Sequence, residues 1–305
     1  MKKALFALFL LSMVACNMNY EKTPSGLTYK IFKGKGTVKA KGGQFAKFNM
    51  KYILVDRDSV FSDTYGKIPG YGPIDTGKRV QYSFMEILPL MSEGDSAEIS
   101  ISIDTLKNMG VIQEYNPIFV KGQIIKCKIQ LLKLFNNEND MIADYQKSID
   151  QEKDNEDKSL ENYMTKKNWK GIKTKNGAYV VIENAGDPSL KADSGKVATL
   201  MYRGYLQDNG KVFDTNMDTT KGHTAPIQIQ VGSHGSIQGF SECLPYFGKG
   251  GKGKFLIPSM LGYGGTPQGS DIPAFSNLIF DIEVTDVTDM PKMQRNPMQA
   301  DSTGH

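Results

Sequence analysis

Cysteine, histidine and tryptophan are all scarce in this chain, at three, three and one among 305 residues. No Cys-x-x-Cys pair occurs, and only His223, His234 and His305 could supply imidazole, so no metal site is expected. A Lys/Arg stripe with interleaved aromatics is missing too, and the formal net charge is only +4, which argues against nucleic acid as a partner. Nucleophile–base pairs, phosphate loops and paired carboxylates are absent from the pattern, so no cofactor is expected. Any chemistry should rest on shape and hydrogen bonds. The apolar run Ala4 to Ala15 is too short to span a bilayer as a helix.

That short run has a meaning of its own. Lys2 and Lys3 precede it and "SMVAC" closes it, the layout of an export signal with a bacterial lipobox. Residues 1–15 are therefore expected to be a lipoprotein signal peptide, Cys16 the lipidated residue and 16–22 a tether. An ordinary signal peptide with an incidental cysteine is the competing reading. The lipobox implies the bacterial cell envelope, and because no acidic cluster of the kind that sends lipoproteins to the surface follows Cys16 in "NMNYEK", a protein at the outer membrane facing the periplasm is expected. Cys127 falls in the alternating run "IIKCKIQLLKL" and reads as a small buried apolar residue.

The two halves repeat one another. "SGLTYKI" (Ser25 to Ile31) matches "NGAYVVI" (Asn176 to Ile182), and Val60-Phe61 matches Val212-Phe213. "SFMEILPLMSEGDSAEISI" matches "GFSECLPYFGKGGKGKFLI", with Phe84 over Phe240 and Leu88-Pro89 over Leu244-Pro245. A period this long means a tandem pair rather than a solenoid. Within each copy the pattern is mainly strand: Leu278, Phe280, Ile282 and Val284 share one face, as do Ile125, Cys127, Ile129 and Leu131. Helix character appears around Phe240 to Phe247 and is cut short by Pro245. One short helix against a bent antiparallel sheet is an α+β domain. Between the copies, 136–170 is charged and lacks Pro, and carries a thin stripe of Ile142, Tyr145, Ile149, Leu160, Tyr163 and Met164 at helical spacing. A solvated helical connector is expected there, with a disordered linker as the other reading. The tail, 290–305, is expected to be disordered.

The second copy gathers Tyr202, Phe213-Asp214, Ile237, Phe240, Tyr263, Ile272-Pro273 and Phe280. Taken singly, the phenylalanines read as core, and Asp214 as the start of a turn. Together they suit an apolar pocket with a few polar groups. From "VATLMYRGYLQDNGKVFDTN" through "PIQIQVGSHGSIQGFSECLPYFGKGGKGKFLIPSMLGYGGTPQGSDIPAFSNLIFDIEVTDV" the copy resembles an FKBP-type peptidyl-prolyl cis-trans isomerase domain. The resemblance implies two FKBP-like domains joined by the helical connector: a degenerate one over 23–135 and an isomerase over 171–289.

It also implies roles. Phe213, Ile227, Ile237, Phe240, Ile272 and Phe280 would line a proline pocket with Phe240 as its floor. Asp214, Tyr263 and Tyr202 would act on the imide, Asp214 as an orienting charge and Tyr263 as donor to a substrate carbonyl. The partners implied are X–Pro segments of unfolded or exported proteins and a macrolide of the FKBP class, with the membrane reached through the lipid anchor. Whether the connector makes a homodimer stays open. The loop "TNMDTTKGHTAP" lacks the arginine that often braces the acid, and Lys221 is the substitute in view.

In the first copy Met50 replaces the tyrosine, Ser62 the acid, Gln81 the isoleucine and Cys127 the phenylalanine Phe280. A one-residue slip would put Asp63 in the acid's place instead. Two functions follow: an isomerase assisting the folding of exported proteins, with catalysis confined to the second domain, or a non-catalytic envelope chaperone or scaffold.

Overall fold

The computed structural model describes residues 20–57, 59–77, 81–233 and 235–290. The export signal, Cys16 and the tail beyond residue 290 lie outside these residues. The chain divides into two compact units near residue 143.

The first unit is an antiparallel sheet of β1 (Glu21–Lys22), β2 (Thr28–Phe32), β3 (Phe45–Leu54), β4 (Ser59–Asp63), β5 (Gly70–Pro73), β6 (Ser96–Ser102) and β7 (Ile124–Phe135). Strand order is β1-β2-β6-β7-β3-β4, with β5 also on β3. Period-two alternation drives it: Ile125, Cys127, Ile129 and Leu131 of β7 are buried, while Lys126 and Lys128 between them face water. Each such buried Ile or Leu stabilises the fold by about 1.5–3 kcal/mol. Two 3-10 turns, Phe84–Glu86 and Leu88–Leu90, lie against the core, with Pro89 allowed because it stands at the start of its turn. A short helix, α1 (Ile103–Asn108), follows β6, with the Ser102 hydroxyl accepting from Thr105 N at 3.3 Å. Sequence pattern had not indicated it. Asp95, 1% exposed, ties one end of the unit by accepting from Gly34 N (2.7 Å), Ser92 N (2.8 Å) and Lys33 Nζ (3.0 Å).

A long helix, α2 (Glu138–Lys167), runs out of the first unit into the second, with acids in its first turn and Lys166 and Lys167 in its last, as the helix dipole favours. Ile142 and Tyr145 of the expected stripe are exposed. The C-terminal half differs from a solvated connector. Leu160 and Met164 are buried in a second cluster with Tyr179, Val181, Leu256 and Ile279. Glu152 and Glu156 are buried as well, and Glu156 accepts from the Ser259 hydroxyl. The thin stripe hid this, because the interface is completed by polar contacts such as Tyr179 Oη donating to Asp157 (2.7 Å) and Glu161 (3.0 Å).

The second unit repeats the first sheet with β8 (Ile172–Lys173), β9 (Tyr179–Asn184), β10 (Lys196–Leu206), β11 (Val212–Thr215), β12 (Ile227–Gln230), β13 (Lys252–Ile257) and β14 (Leu278–Asp289). Its order is β11-β10-β14-β13-β9-β8, with β12 on β10, strand for strand that of the first unit. The bulges recur as well, between Tyr52 and Ile53 and between Gly204 and Tyr205. Helix α3 (Gln238–Cys243) and the 3-10 turn Leu244–Tyr246 pack across the sheet and close the core around Phe240, Phe247 and Phe255. The expected fold class, two α+β units each built on an antiparallel sheet with short helices, is what the chain adopts.

Candidate active site: an aromatic pocket in the second unit

The pocket begins with a backbone clamp. Thr215 and Asn216, both fully buried, follow Asp214 at the end of β11. Thr215 Oγ1 donates to Tyr202 O (3.0 Å), Asn216 Oδ1 accepts from Tyr202 N (2.6 Å), and Asn216 Nδ2 donates to the carbonyls of Leu200 and Ala225 (3.0 Å each). β11 is thereby locked to β10, and Asp214 is presented opposite Gly204.

Gly204 is bare for a reason. A Cβ there would lie 2.6 Å from the Phe213 ring and 2.8 Å from that of Phe280, so only glycine admits both rings. The rings stack edge to face: Phe213–Phe280 at 5.5 Å, Phe240–Phe280 at 4.6 Å and Phe240–Phe255 at 5.2 Å between centroids. Over them lies a cavity of about 440 Å³ lined by Tyr202, Phe213, Asp214, Ile227, Ile237, Phe240, Tyr263, Ile272 and Phe280, all nine of the residues singled out in this unit. Gln228, Ser236, Gln268 and Asp271 add polar groups that the motif did not indicate. Ile272 is turned inward by reciprocal backbone bonds between Gln268 and Ile272, 2.9 and 3.2 Å long.

Polarity is concentrated at the mouth. Tyr202 Oη donates to Asp214 Oδ2, and His223 Nε2 stands 2.9 Å from Asp214 Oδ1. Lys221 does not take the bracing place; it reaches towards Asp271 at 3.9 Å, which Lys211 holds at 2.9 Å. Burial alone would raise the Asp214 pKa, but the bonds from Tyr202 and His223 outweigh it and hold the carboxyl below its ordinary range. Burial and the neighbouring Asp214 charge push the phenols of Tyr202 and Tyr263 up. Tyr263 stays 37% exposed at the rim.

A family model described as FKBP-type peptidyl-prolyl cis-trans isomerase matches residues 189–285, the span that holds this pocket. An FK506-binding protein of Neisseria meningitidis is 37% identical over 97 residues, which are 32% of this chain and 84% of that protein. The chain belongs to the FKBP-type peptidyl-prolyl cis-trans isomerase family. FK506-binding protein 2 of Kluyveromyces lactis is 36% identical over 107 residues, 33% of this chain and 69% of that one. A protein of Haemophilus influenzae named as a probable FKBP-type peptidyl-prolyl cis-trans isomerase is 40% identical over 124 residues, 40% of this chain; the match spans only 46% of that relative.

The register shows how the first unit differs from the second at the corresponding positions. Ser62 pairs with Tyr52 as Asp214 pairs with Gly204, and Cys127 pairs with Tyr52 as Phe280 pairs with Gly204. Met50 therefore holds the place of Tyr202, and Asp63, which pairs with Lys51, holds that of Thr215. Tyr52 brings its ring to within 6.5 Å of Phe84, the counterpart of the floor residue Phe240. Its hydroxyl bonds Cys127, whose thiol burial pushes up to about 12. Gln81 is exposed and builds no wall. Among the described residues no group of three His, Cys, Asp or Glu could hold a metal, and no helix is long and apolar enough to cross a membrane.

Proposed function

We propose that the second unit catalyses cis–trans isomerisation of X–Pro bonds in unfolded or exported polypeptides, and that catalysis is confined to it. The supporting observation is the aromatic cavity floored by Phe240 with an anionic, doubly held Asp214 at its mouth. The barrier to rotation about the imide is about 18–20 kcal/mol, while for X–Pro the two isomers differ by only about 0.5–1 kcal/mol. A dry aromatic pocket favours the twisted imide, whose charge separation is smaller than that of the planar form. Binding that form more tightly than either planar one lowers the barrier. In this reading Phe213, Ile227, Ile237, Phe240, Ile272 and Phe280 enclose the proline ring. Tyr263 donates to a carbonyl of the substrate, and Tyr202 holds Asp214 against the imide carbonyl. Rotation transfers no proton, so Asp214 works as a fixed charge and not as a base. A macrolide would occupy the same cavity.

In the same proposal Cys16 carries a lipid, and the protein works tethered in the bacterial envelope, at the outer membrane and facing the periplasm. The test is the catalysed cis-to-trans rate of a short X–Pro peptide by the full chain beside its Asp214→Ala and Tyr202→Phe variants. Acceleration that falls in both supports the isomerase. A non-catalytic chaperone or scaffold is the second reading, favoured by the ring of Tyr52 where the first unit would need an open pocket. It gains if the folded chain suppresses aggregation of an unfolded client without accelerating the peptide.

A further inference from the structure

His223 belongs to no part of the family pattern set out above, yet it touches the acid. It sits on the loop between β11 and β12 with Nε2 2.9 Å from Asp214 Oδ1, while Tyr202 Oη holds Oδ2. A carboxylate only accepts, so Nε2–H must donate. The imidazole lies beside the Tyr202 ring, with centroids 6.5 Å apart. Asp214 and His223 are each 41% exposed at the side chain, so the bond guards the mouth and not the core. Lys221, two residues away, is directed to Asp271.

We propose that His223 is the positioning residue of this site: it acts through Asp214, fixing the carboxylate at the rim so that its charge bears on the bound imide. The proposal rests on the isomerase reading above. Hydrogen bonds to an ionised carboxylate are about twice as strong as neutral ones, so losing the imidazole donor loosens Asp214 at the rim.

Asp214 is held below the carboxylate range, and the phenols of Tyr202 and Tyr263 are pushed above theirs. Lys211 and Lys221 hold Asp271 low.

The experiment uses the full chain and its His223→Leu, His223→Arg and Lys221→Ala variants. It measures kcat and KM on an X–Pro peptide at about pH 7, together with the 13C titration of the Asp214 carboxyl on the acid side. Loss of one charge-assisted bond predicts kcat about tenfold lower in His223→Leu, with KM little changed. His223→Arg restores the rate, and the Asp214 titration moves up in the leucine variant only. Lys221→Ala behaves as wild type. A leucine variant with the wild-type kcat and an unmoved Asp214 titration overturns the proposal, as does a Lys221→Ala variant that reproduces the loss. If the wild-type chain does not catalyse at all, the isomerase reading fails separately. The titration then decides the positioning alone, and an unmoved Asp214 overturns it.

Discussion

Tyr52 and Gly204 occupy one register position in two copies of the same sheet, each bonded across to the strand that carries Cys127 or Phe280. In the second unit the glycine leaves room for the rings of Phe213 and Phe280; in the first, the tyrosine brings its own ring towards the floor residue Phe84, and a cysteine stands opposite. The exchange is reciprocal, large for small on one strand and small for large on the next. Volume-conserving exchanges of this kind are the ones a packed core tolerates best.

Tyr52→Ala should therefore destabilise the first unit by about 3 kcal/mol, because it empties a site flanked by Phe84 and Cys127. Trp169, the one tryptophan, packs against Tyr163 in the second unit and reports on that unit alone. Urea unfolding followed by far-UV circular dichroism should gain an early phase, while Trp169 fluorescence keeps its midpoint. A shift of the fluorescence midpoint as large as that of the dichroism would refute the assignment.

Gly204→Ala is the mirror test. The added methyl lies within 3 Å of two rings on either side, so the pair must part at a cost of about 1–3 kcal/mol. The Trp169 midpoint should fall and peptide isomerisation with it. An unchanged rate would mean that the Phe213–Phe280 contact does not shape the proline site.

Much of this was legible in the chain. The tandem repeat and the strand alternation follow from the spacing of the motifs and apolar residues, while the nine pocket residues follow from the resemblance to the family, since singly they read as core or turn. Ser62 in the acid's place is legible too, and the pairing of Ser62 with Tyr52 excludes the one-residue slip. His223 was not legible, because loop 216–226 has no periodicity and its contact with Asp214 depends on how the Asn216 clamp folds it back. Tyr52 was not legible either, because its counterpart is a glycine, which has no pocket-lining side chain to mark the position. The buried Glu152 and Glu156 violate the expectation that acids face water, and the tertiary contact with Ser259 that holds Glu156 is invisible in the sequence.

Asp214→Asn keeps an acceptor for Tyr202 but removes the charge at the mouth. If the charge acts on the imide, kcat/KM for an X–Pro peptide should fall about tenfold, roughly 1.4 kcal/mol of transition-state stabilisation, with the fold intact by circular dichroism. A variant within twofold of wild type would leave catalysis to the apolar walls alone.

Acid should act on the first unit through Asp95. Burial would raise its pKa, but the amides of Gly34 and Ser92 and the Lys33 ammonium outweigh it and hold the carboxyl below its ordinary value. A folded pKa below the unfolded one, about 3.9, adds stability at higher pH that disappears as pH falls from about 4 through the folded value. Asp95→Asn should cost about 1–3 kcal/mol at pH 7 and should weaken the decline of the urea midpoint between pH 5 and 2.5. A variant that keeps the wild-type slope would shift the acid sensitivity to other carboxylates.

Leu160→Ala tests whether the C-terminal half of α2 belongs to the second unit. Leu160 is fully buried with Tyr179, Val181, Leu256 and Ile279, so its truncation should cost about 2–4 kcal/mol of that unit's stability. Leu256 and Ile279 alternate along their strands with Phe255 and Phe280, which face the pocket side of the sheet. The pleat thus separates the surface that α2 covers from the surface that the substrate would touch. The Trp169 midpoint in urea should drop, while the isomerisation rate well below the transition stays within twofold of wild type. A midpoint within experimental error of wild type would return α2 to the role of a solvated connector. A large rate loss in a chain that remains folded would show that the two faces of the sheet are coupled.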